Sequence, residues 1–475
     1  MLALLGWSAL AWIQSIPLSA RGPAIATTKL RMSEEAAAVK PATVSAMATG
    51  LAENDKFACD PSVYIWQDFQ RDGPASAQEN LREAARLAGS IVSMGGAAYA
   101  AQHGLRSSYF LANAALGTVA SDLHERLRGS DGERAGVASV AGFDSKSVGG
   151  LGIDAEVASR LLLEAAMVFK QDYEAISRGA YAEPWDMKTL RHRQYNPAFA
   201  LAQSARFVRE AVGTLGRRNR QEEGGIWLGA APQMYPEYYR NNFHYQTDGW
   251  MSSQSAAVYE TSTETLFVGR QDAMQRQTLR PLLASKERSP ARVLEVACGT
   301  GRFATFVRDN LPAAEMTAVD LSPFYLEAAR ENDDYWRRTR YRSAAERPPP
   351  AKFVQAAAEA LPFESGAFDA VVCVYLFHEM PSEARAAAAA EFARVCAPGG
   401  LVVLTDSMQR GDRPALDGRL GNFAKLNEPH YNDYIDTDLG ALFESCGMQA
   451  EEKYVASSTK TLSFRKPCLD DAPVQ

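Results

Sequence analysis

The sequence predicts an α/β fold: a doubly wound sheet in the C-terminal part of the chain, preceded by a helical domain. Three observations predict it. From Arg292 onward, short apolar runs alternate with helical segments, the order that builds a parallel sheet with helices on both faces. The first run, Arg292-Val-Leu-Glu-Val296, ends in the glycine-rich turn Ala297-Cys-Gly-Thr-Gly301. Upstream, Leu162, Ala166, Phe169, Tyr173 and Ile176 recur at spacings of 4, 3, 4 and 3, the apolar stripe of an amphipathic helix.

Val293, Leu294 and Val296 suit a strand buried on both faces. Gly299 and Gly301 let the backbone approach a ligand where a Cβ would collide, and a helix is expected from Arg302 to Asn310. The spacing is not that of three glycines in a dinucleotide turn, because Ala304 stands in the third place. Glu295 at the strand end would repel a pyrophosphate and suits the ammonium of a methionine moiety. A second strand, Met316 to Asp320, ends in an acid 25 residues after Glu295, placed to accept both ribose hydroxyls. A third, Lys352 to Gln355, leads into Glu359-Ala-Leu-Pro-Phe363. A fourth, Phe368 to Val374, runs into Tyr375-Leu-Phe-His-Glu379, and Ala397-Pro-Gly-Gly400 introduces a fifth, Leu401 to Thr405. The turn alone indicates a nucleoside cofactor; the two acids favour S-adenosylmethionine.

In this order, Glu295-x-x-Cys-Gly-Thr-Gly301, Asp320-Leu-Ser322, Glu359-Ala-Leu-Pro-Phe363, Phe368-Asp369 and Pro398-Gly-Gly400 resemble the motifs of class I SAM-dependent methyltransferases. Within that superfamily they look most like the ubiquinone/menaquinone-type branch. The lid-like segment before the first strand, Tyr375-Leu-Phe-His-Glu-Met-Pro381 and Ser458-Thr-Lys-Thr-Leu-Ser-Phe-Arg465 resemble a cyanobacterial and plastid group. The resemblance implies a Rossmann-like seven-stranded sheet whose last two strands are Met448 to Val455 and Thr461 to Arg465. It implies that Glu295, Ala297, Gly299 and Gly301 line the methionine end of the cofactor, that Asp320 holds the ribose, and that Leu321 packs on adenine. Ala358, Glu359 and Tyr375 complete the expected cofactor set. One departure stands out: the family's adenine-binding Asp is Ala357 here, which shifts adenine recognition toward backbone near Ala358 or toward Glu359.

A net charge of −7 argues against nonspecific nucleic-acid binding. Six cysteines without paired spacing indicate reduced thiols, with Cys298 and Cys373 as small apolar fillers. No acid or cysteine spacing fits a metal cage, so no metal is expected. Residues 1–45 form the expected targeting segment: an uncharged apolar run is followed by a stretch from Arg21 to Arg31 that is basic and free of acids. The pair resembles the bipartite address of a complex plastid, the alternatives being another organelle or the secretory pathway. No stable membrane span is expected in the mature chain.

The domain reading continues with a linker over 46–75, a helical domain over 76–225, a lid or connecting segment over 226–285, the methyltransferase domain over 286–467 and a tail over 468–475. The clearest helices are Asn80 to Ala101, Ser107 to Arg128, Ala155 to Arg178 and Pro197 to Arg217. The run from Tyr235 to Trp250 is dense in aromatics and suits either a lid over a small organic substrate or a turn that packs the helical domain on the sheet. Tyr239, His244, Tyr245 and Trp250 in this run, Tyr259 on the helix expected after it, and His430 and Tyr431 in the segment after the fifth strand are the substrate-side candidates. Lys188, Arg191, His192 and Arg193 form either an anion site or a domain contact.

Methyl transfer from a sulfonium needs alignment above all. A base is needed only where the acceptor must lose a proton. His378, after the fourth strand, is the first candidate base with Glu379 as its orienter; His244 is the second. The expected function is methyl transfer to a small-molecule acceptor, in a plastid. The acceptor is a prenyl-quinone-like metabolite methylated on carbon or oxygen, or a sulfur acceptor of the methylthio-hydroxybutyrate type met in algal dimethylsulfoniopropionate synthesis. A sulfur acceptor would need a cation for its carboxylate, Arg240 or a member of the 188–193 cluster. The non-enzyme alternative is a SAM-binding subunit whose helical domain docks a partner.

Overall fold

The computed structural model describes residues 53–69, 76–127, 155–189, 191–220, 222, 226, 235–284 and 289–468; the expected targeting segment falls outside them. Eight strands form one sheet: β1 (Ala58–Cys59), β2 (Arg292–Val296), β3 (Glu315–Asp320), β4 (Lys352–Gln355), β5 (Phe368–Val374), β6 (Cys396–Ser407), β7 (Gln449–Ala456) and β8 (Thr459–Arg465). Their order is β1-β7-β8-β6-β5-β2-β3-β4. All neighbours are parallel except β8, which runs antiparallel to both β6 and β7. The expected seven-stranded sheet is therefore present, with β1 added at its edge. Val293, Leu294, Val371, Val372, Val402 and Val403 are fully enclosed between helical layers, as the unbroken apolar runs require.

The long helices are α1 (Pro61–Gln67), α2 (Ala77–Ser93), α3 (Ala97–Leu127), α4 (Ala155–Ser177), α5 (Pro197–Asn219), α6 (Ser253–Leu266), α7 (Arg302–Asn310), α8 (Pro323–Arg340) and α9 (Ser382–Val395). Helix α2 opens with a capping box, Ser76 against Glu79. The helix expected from Asn80 to Ala101 is in fact two, broken at Gly95, where φ is +94°. The next residue, Gly96, lies against the Tyr173 ring, and a Cβ there would fall 2.5 Å from it. The amphipathic stripe of α4 supplies Phe169 to a core that also contains Trp66, Ile91, Tyr99, Met274 and Val455. The helical region thus shares its core with the edge of the sheet.

The linker expected over 46–75 is, where described, part of the fold. Ala58 and Cys59 pair with Glu452 and Lys453, and Phe57, Val63 and Trp66 are buried. The reason is electrostatic. Lys453 and Lys460 are 0% and 1% exposed and need carboxylates. Glu53 accepts from Lys453 Nζ at 2.9 Å and Lys460 Nζ at 2.7 Å, and Asp412 lies 2.7 Å from Lys453 Nζ. A two-residue strand and a seven-residue helix are too short to show periodicity in sequence. Among the described residues no helix is long and apolar enough to cross a membrane.

Burial opposes the Glu53 charge, but the two ammonium groups win and hold its carboxyl down to about 2. A carboxyl depressed on folding contributes stability that is complete above its unfolded value and lost as pH falls through the folded one. Urea midpoints should therefore decline between about pH 4.5 and pH 2. Glu53→Gln, which leaves two buried lysines facing one acid, should cost about 3–5 kcal/mol at pH 7 and flatten that acid limb.

Candidate cofactor and active site

The strand order reverses between β2 and β5, with β3 and β4 on one side and β6, β8 and β7 on the other. In such a sheet a crevice opens beyond the carboxyl ends of the strands at the reversal. It contains a cavity of about 90 Å³. The floor comes from strand ends: Val296 and Ala297 after β2, Asp320 and Leu321 after β3, Val374 and Tyr375 after β5. Ala297 and Tyr375 flank the reversal and both have positive φ, 57° and 58°, an uncommon conformation for residues with a Cβ. It turns the chain sharply out of each strand and brings backbone to the cavity.

The glycines of the turn divide the work. Gly299 lines the cavity. Gly301 does not: its φ is +72°, and a Cβ there would stand 3.0 Å from the Ala329 Cβ on α8, so this glycine packs α7 against α8. Asp320 ties the turn together, accepting from Gly299 N at 2.8 Å with one carboxylate oxygen and from Ser322 N at 2.8 Å with the other. Burial raises its carboxyl to about 6 despite these donors. Each oxygen keeps a lone pair for a hydroxyl donor, as a ribose would supply.

The other expected cofactor residues are placed as follows. Ala297, Leu321, Ala358 and Tyr375 line the cavity, whereas Glu295 and Glu359 do not. Glu295 is 2% exposed and inside β2, with one carboxylate oxygen unpartnered. Burial and the nearby Asp320 push its carboxyl well up, so it keeps its proton unless a cation reaches it. Glu359 acts through the lid: its two oxygens accept the Tyr238 hydroxyl at 3.0 and 3.1 Å. Ala356, Ala357 and Ala358 together form one wall, where the family's Asp is absent.

The aromatic segment covers the crevice. Tyr238, Tyr239, Trp250 and Tyr259 line it, and Trp250, Tyr259 and Tyr325 form a triangle of edge-on rings with centroids 5.5 to 5.8 Å apart. Ser322, the first-turn cap of α8, donates to Trp250 O and anchors this cover to the turn that follows Asp320. Tyr238 and Tyr325 went unread in the sequence, although Tyr238 adjoins the predicted Tyr239. Nothing in local spacing marks Tyr325, on α8, as a wall residue.

Four expected substrate-side residues stand elsewhere. His244 Nε2 lies 2.9 Å from Glu428 Oε1, and Tyr245 is a core residue whose carbonyl accepts Arg217 Nε. Tyr431 is buried, its hydroxyl 2.8 Å from Ser407 Oγ, so the segment after β6 packs behind the crevice. His430 stands at the N-terminal boundary of the short helix Tyr431–Tyr434, with no capping hydrogen bond from its side chain. Of the basic cluster, His192 is buried against Trp185 and Tyr335. Arg193 contacts Asn332, so these residues form a domain contact.

The expected base and its expected orienter are arranged differently from expectation. The partner of His378 is Asp406, with Nδ1 and Oδ1 2.6 Å apart, while Asp406 Oδ2 accepts the Leu376 and Phe377 amides. Burial opposes the imidazolium, but Asp406 holds it up to about 10. Glu379 is the member of the pair that lines the cavity. Its carboxyl lies 3.8 Å from His378 Nε2. Burial raises it to about 7, against the pull of His378.

Residues 293–400 match the family model described as a methyltransferase domain. The chain is 33% identical over 156 residues to a demethylmenaquinone methyltransferase of Thermus thermophilus, covering 33% of this chain and 64% of that one. It is 30% identical over 217 residues to the demethylmenaquinone methyltransferase of Deinococcus radiodurans, covering 46% of this chain and 78% of that one. An uncharacterised chloroplastic methyltransferase of Arabidopsis thaliana is 26% identical over 185 residues, 38% of this chain and 49% of that one. With S-adenosylmethionine as the cofactor, Asp320→Ala should raise the dissociation constant for S-adenosylhomocysteine at least tenfold by calorimetry. That is the cost of losing charged hydrogen bonds of about 1.5–3 kcal/mol. Sheet order, the crevice at the strand reversal and these matches agree: the chain belongs to the class I SAM-dependent methyltransferases.

Proposed function

We propose that this enzyme methylates carbon or oxygen of a small, ring-bearing, prenyl-quinone-like acceptor, and that Glu379 takes the proton the acceptor loses. The single observation that carries the reading is a carboxyl poised near neutrality in the wall of the cofactor crevice, under an aromatic cover. The cofactor supplies an electrophilic methyl on a cationic sulfur. The chain's residues align and exclude water: Tyr238, Tyr239 and Trp250 close the crevice, and Tyr259 fixes its far wall. His378, charged and held by Asp406, cannot accept a proton at neutral pH; its role in this reading is to orient Glu379 and steady its carboxylate. His244, paired with Glu428, is a supporting member of the same buried group.

The names of the Thermus and Deinococcus relatives, demethylmenaquinone methyltransferases, support a quinone-like ring. The sulfur-acceptor reading is less favoured. A carboxylate-bearing acceptor wants a cation, and no arginine, lysine or histidine is among the described residues that line the crevice. Arg240 donates to Tyr235 O. We also propose a plastid location, supported by the acid-free basic stretch from Arg21 to Arg31 and by the chloroplastic relative.

Incubation with methyl-labelled S-adenosylmethionine and either a prenylated demethyl-hydroquinone or methylthio-hydroxybutyrate separates the readings. Label in the hydroquinone is expected. Label only in a sulfonium product, or in neither, refutes it. Glu379→Gln should lower kcat by about 10²–10⁴ with little change in S-adenosylhomocysteine affinity. The wild-type rate should climb through about pH 7 as Glu379 loses its proton, a limb absent from the variant.

A further inference from the structure

A second cavity, of about 330 Å³, lies between the helical layer and α7, the helix that follows the glycine turn. Among the described residues, Tyr259 is the one it shares with the cofactor crevice. Its floor is ionic. Arg106 donates to Glu264 at 2.5 Å and to Asp272 at 2.6 Å; Arg302 donates to Asp186 at 2.5 Å and to Asp272 at 2.7 Å. Two guanidinium groups therefore face three buried carboxylates. The remaining charges cancel locally: Arg276 is bidentate on Asp172, and Arg193 faces Glu260 at 3.8 Å. Burial holds His103 and His192 down to about 3, so both are neutral at pH 7. One negative charge is left in excess. That count takes Glu264 as ionised; burial, with Asp272 adding to it, raises its carboxyl to about 7 even with Arg106 beside it, so at pH 7 a proton meets part of the excess.

The same cavity is short of hydrogen-bond donors. Asp186 Oδ1, Gln271 Oε1, Gln102 Oε1 and Gln275 Oε1 are buried acceptors without a partner, against one donor, Arg106 Nε. Asp186 and Gln271 are 2% and 4% exposed. An amide can turn over and exchange its oxygen for its nitrogen, but a carboxylate cannot, so Asp186 sets the demand for a donor. Leaving such an acceptor unmet costs about 1–3 kcal/mol. The upper wall is aromatic and already attracts cations: Arg193 stands 4.8 Å from the Tyr335 ring and 5.2 Å from that of Phe199, and Arg106 5.5 Å from that of Phe110.

We propose that this interdomain cavity binds a small organic amine, whose ammonium donates to Asp186 and to the amide oxygen of Gln271 while its carbon body rests on Phe199 and Tyr335. The volume suits a small molecule, and an ammonium would both cancel the excess charge and supply the missing donors. A carboxylate of the same shape would meet mostly unpartnered acceptors and excess like charge, with Arg106 Nε as the one unpartnered donor among the described residues. The inference is independent of the acceptor assigned to the cofactor crevice.

The test is calorimetry on the full chain with benzylamine, benzyl alcohol and benzoate as probes, with and without saturating S-adenosylhomocysteine. Benzylamine should bind one to one, at least tenfold more tightly than either isostere, and equally well with the nucleoside present. Asp186→Asn should weaken it at least tenfold. Phe199→Ala, which lies outside the ion lattice and should leave the fold intact, should weaken it several-fold. The proposal fails if benzylamine does not bind at millimolar concentration or if an isostere binds as tightly. It fails equally if S-adenosylhomocysteine displaces the amine, or if Phe199→Ala leaves its affinity unchanged.

Discussion

Arg302 is the first residue of the helix that follows the glycine turn, and its guanidinium is held by Asp272 and Asp186, two carboxylates from outside the sheet. Arg106 on α3 grips Asp272 from the other side and adds Glu264. Burying so many charges costs several kcal/mol per ion before any attraction is counted, and such a lattice contributes less to stability than to a unique arrangement. Its consequence here is positional. Glu264 and Tyr259 share α6, so the lattice that docks the helical region also sets Tyr259 against the glycine turn. A Cβ at Gly299 would meet the Tyr259 ring at 3.9 Å. The helical region is part of the site's wall.

The crevice itself follows from topology. Only where the strand order reverses do neighbouring strand ends diverge enough to leave room for a ligand. The two strands that flank the reversal leave the sheet through residues with positive φ, Ala297 and Tyr375. Conformational strain of about 1–3 kcal/mol at each such residue is carried by the surrounding hydrogen bonds. Tyr375 N donates to Thr405 O at 2.8 Å, and its hydroxyl lies 2.6 Å from Thr459 Oγ1. The cover is held just as specifically, by Tyr238 on Glu359 and Trp250 on Ser322.

Adjacent residues in sequence have opposite environments in the acid–base group. His378 is turned inward onto Asp406, whose carboxyl oxygens also accept three backbone amides, those of Leu376, Phe377 and Ser407. Glu379, one residue on, faces the crevice with burial and neighbouring acids pressing its proton on. The short 3-10 turn from Phe377 to Glu379 swings successive side chains to different sides. A neutral-to-basic imidazole and an ionised acid, the default from residue type, become an imidazolium and a carboxyl near neutrality.

The sequence by itself determined strands β2 to β6, their order of motifs and the positions of Asp320, Gly299 and Leu321, because a nucleoside site at a strand end is written in contiguous residues. Aromatic density before β2 allowed either a cover over the crevice or a packing turn, and the structure places Tyr238, Tyr239 and Trp250 in the crevice wall. Tertiary structure decided what depends on residues far apart in the chain. Asp406 claimed His378 across 28 positions, and Glu53 reached Lys453 and Lys460 across 400 and 407. Glu359 turned out to act through Tyr238, and the segment from His430 packed behind the site. The physical reason is common to all of these. A buried charge takes whatever partner packing brings within about 3 Å, and no spacing along the chain encodes that distance.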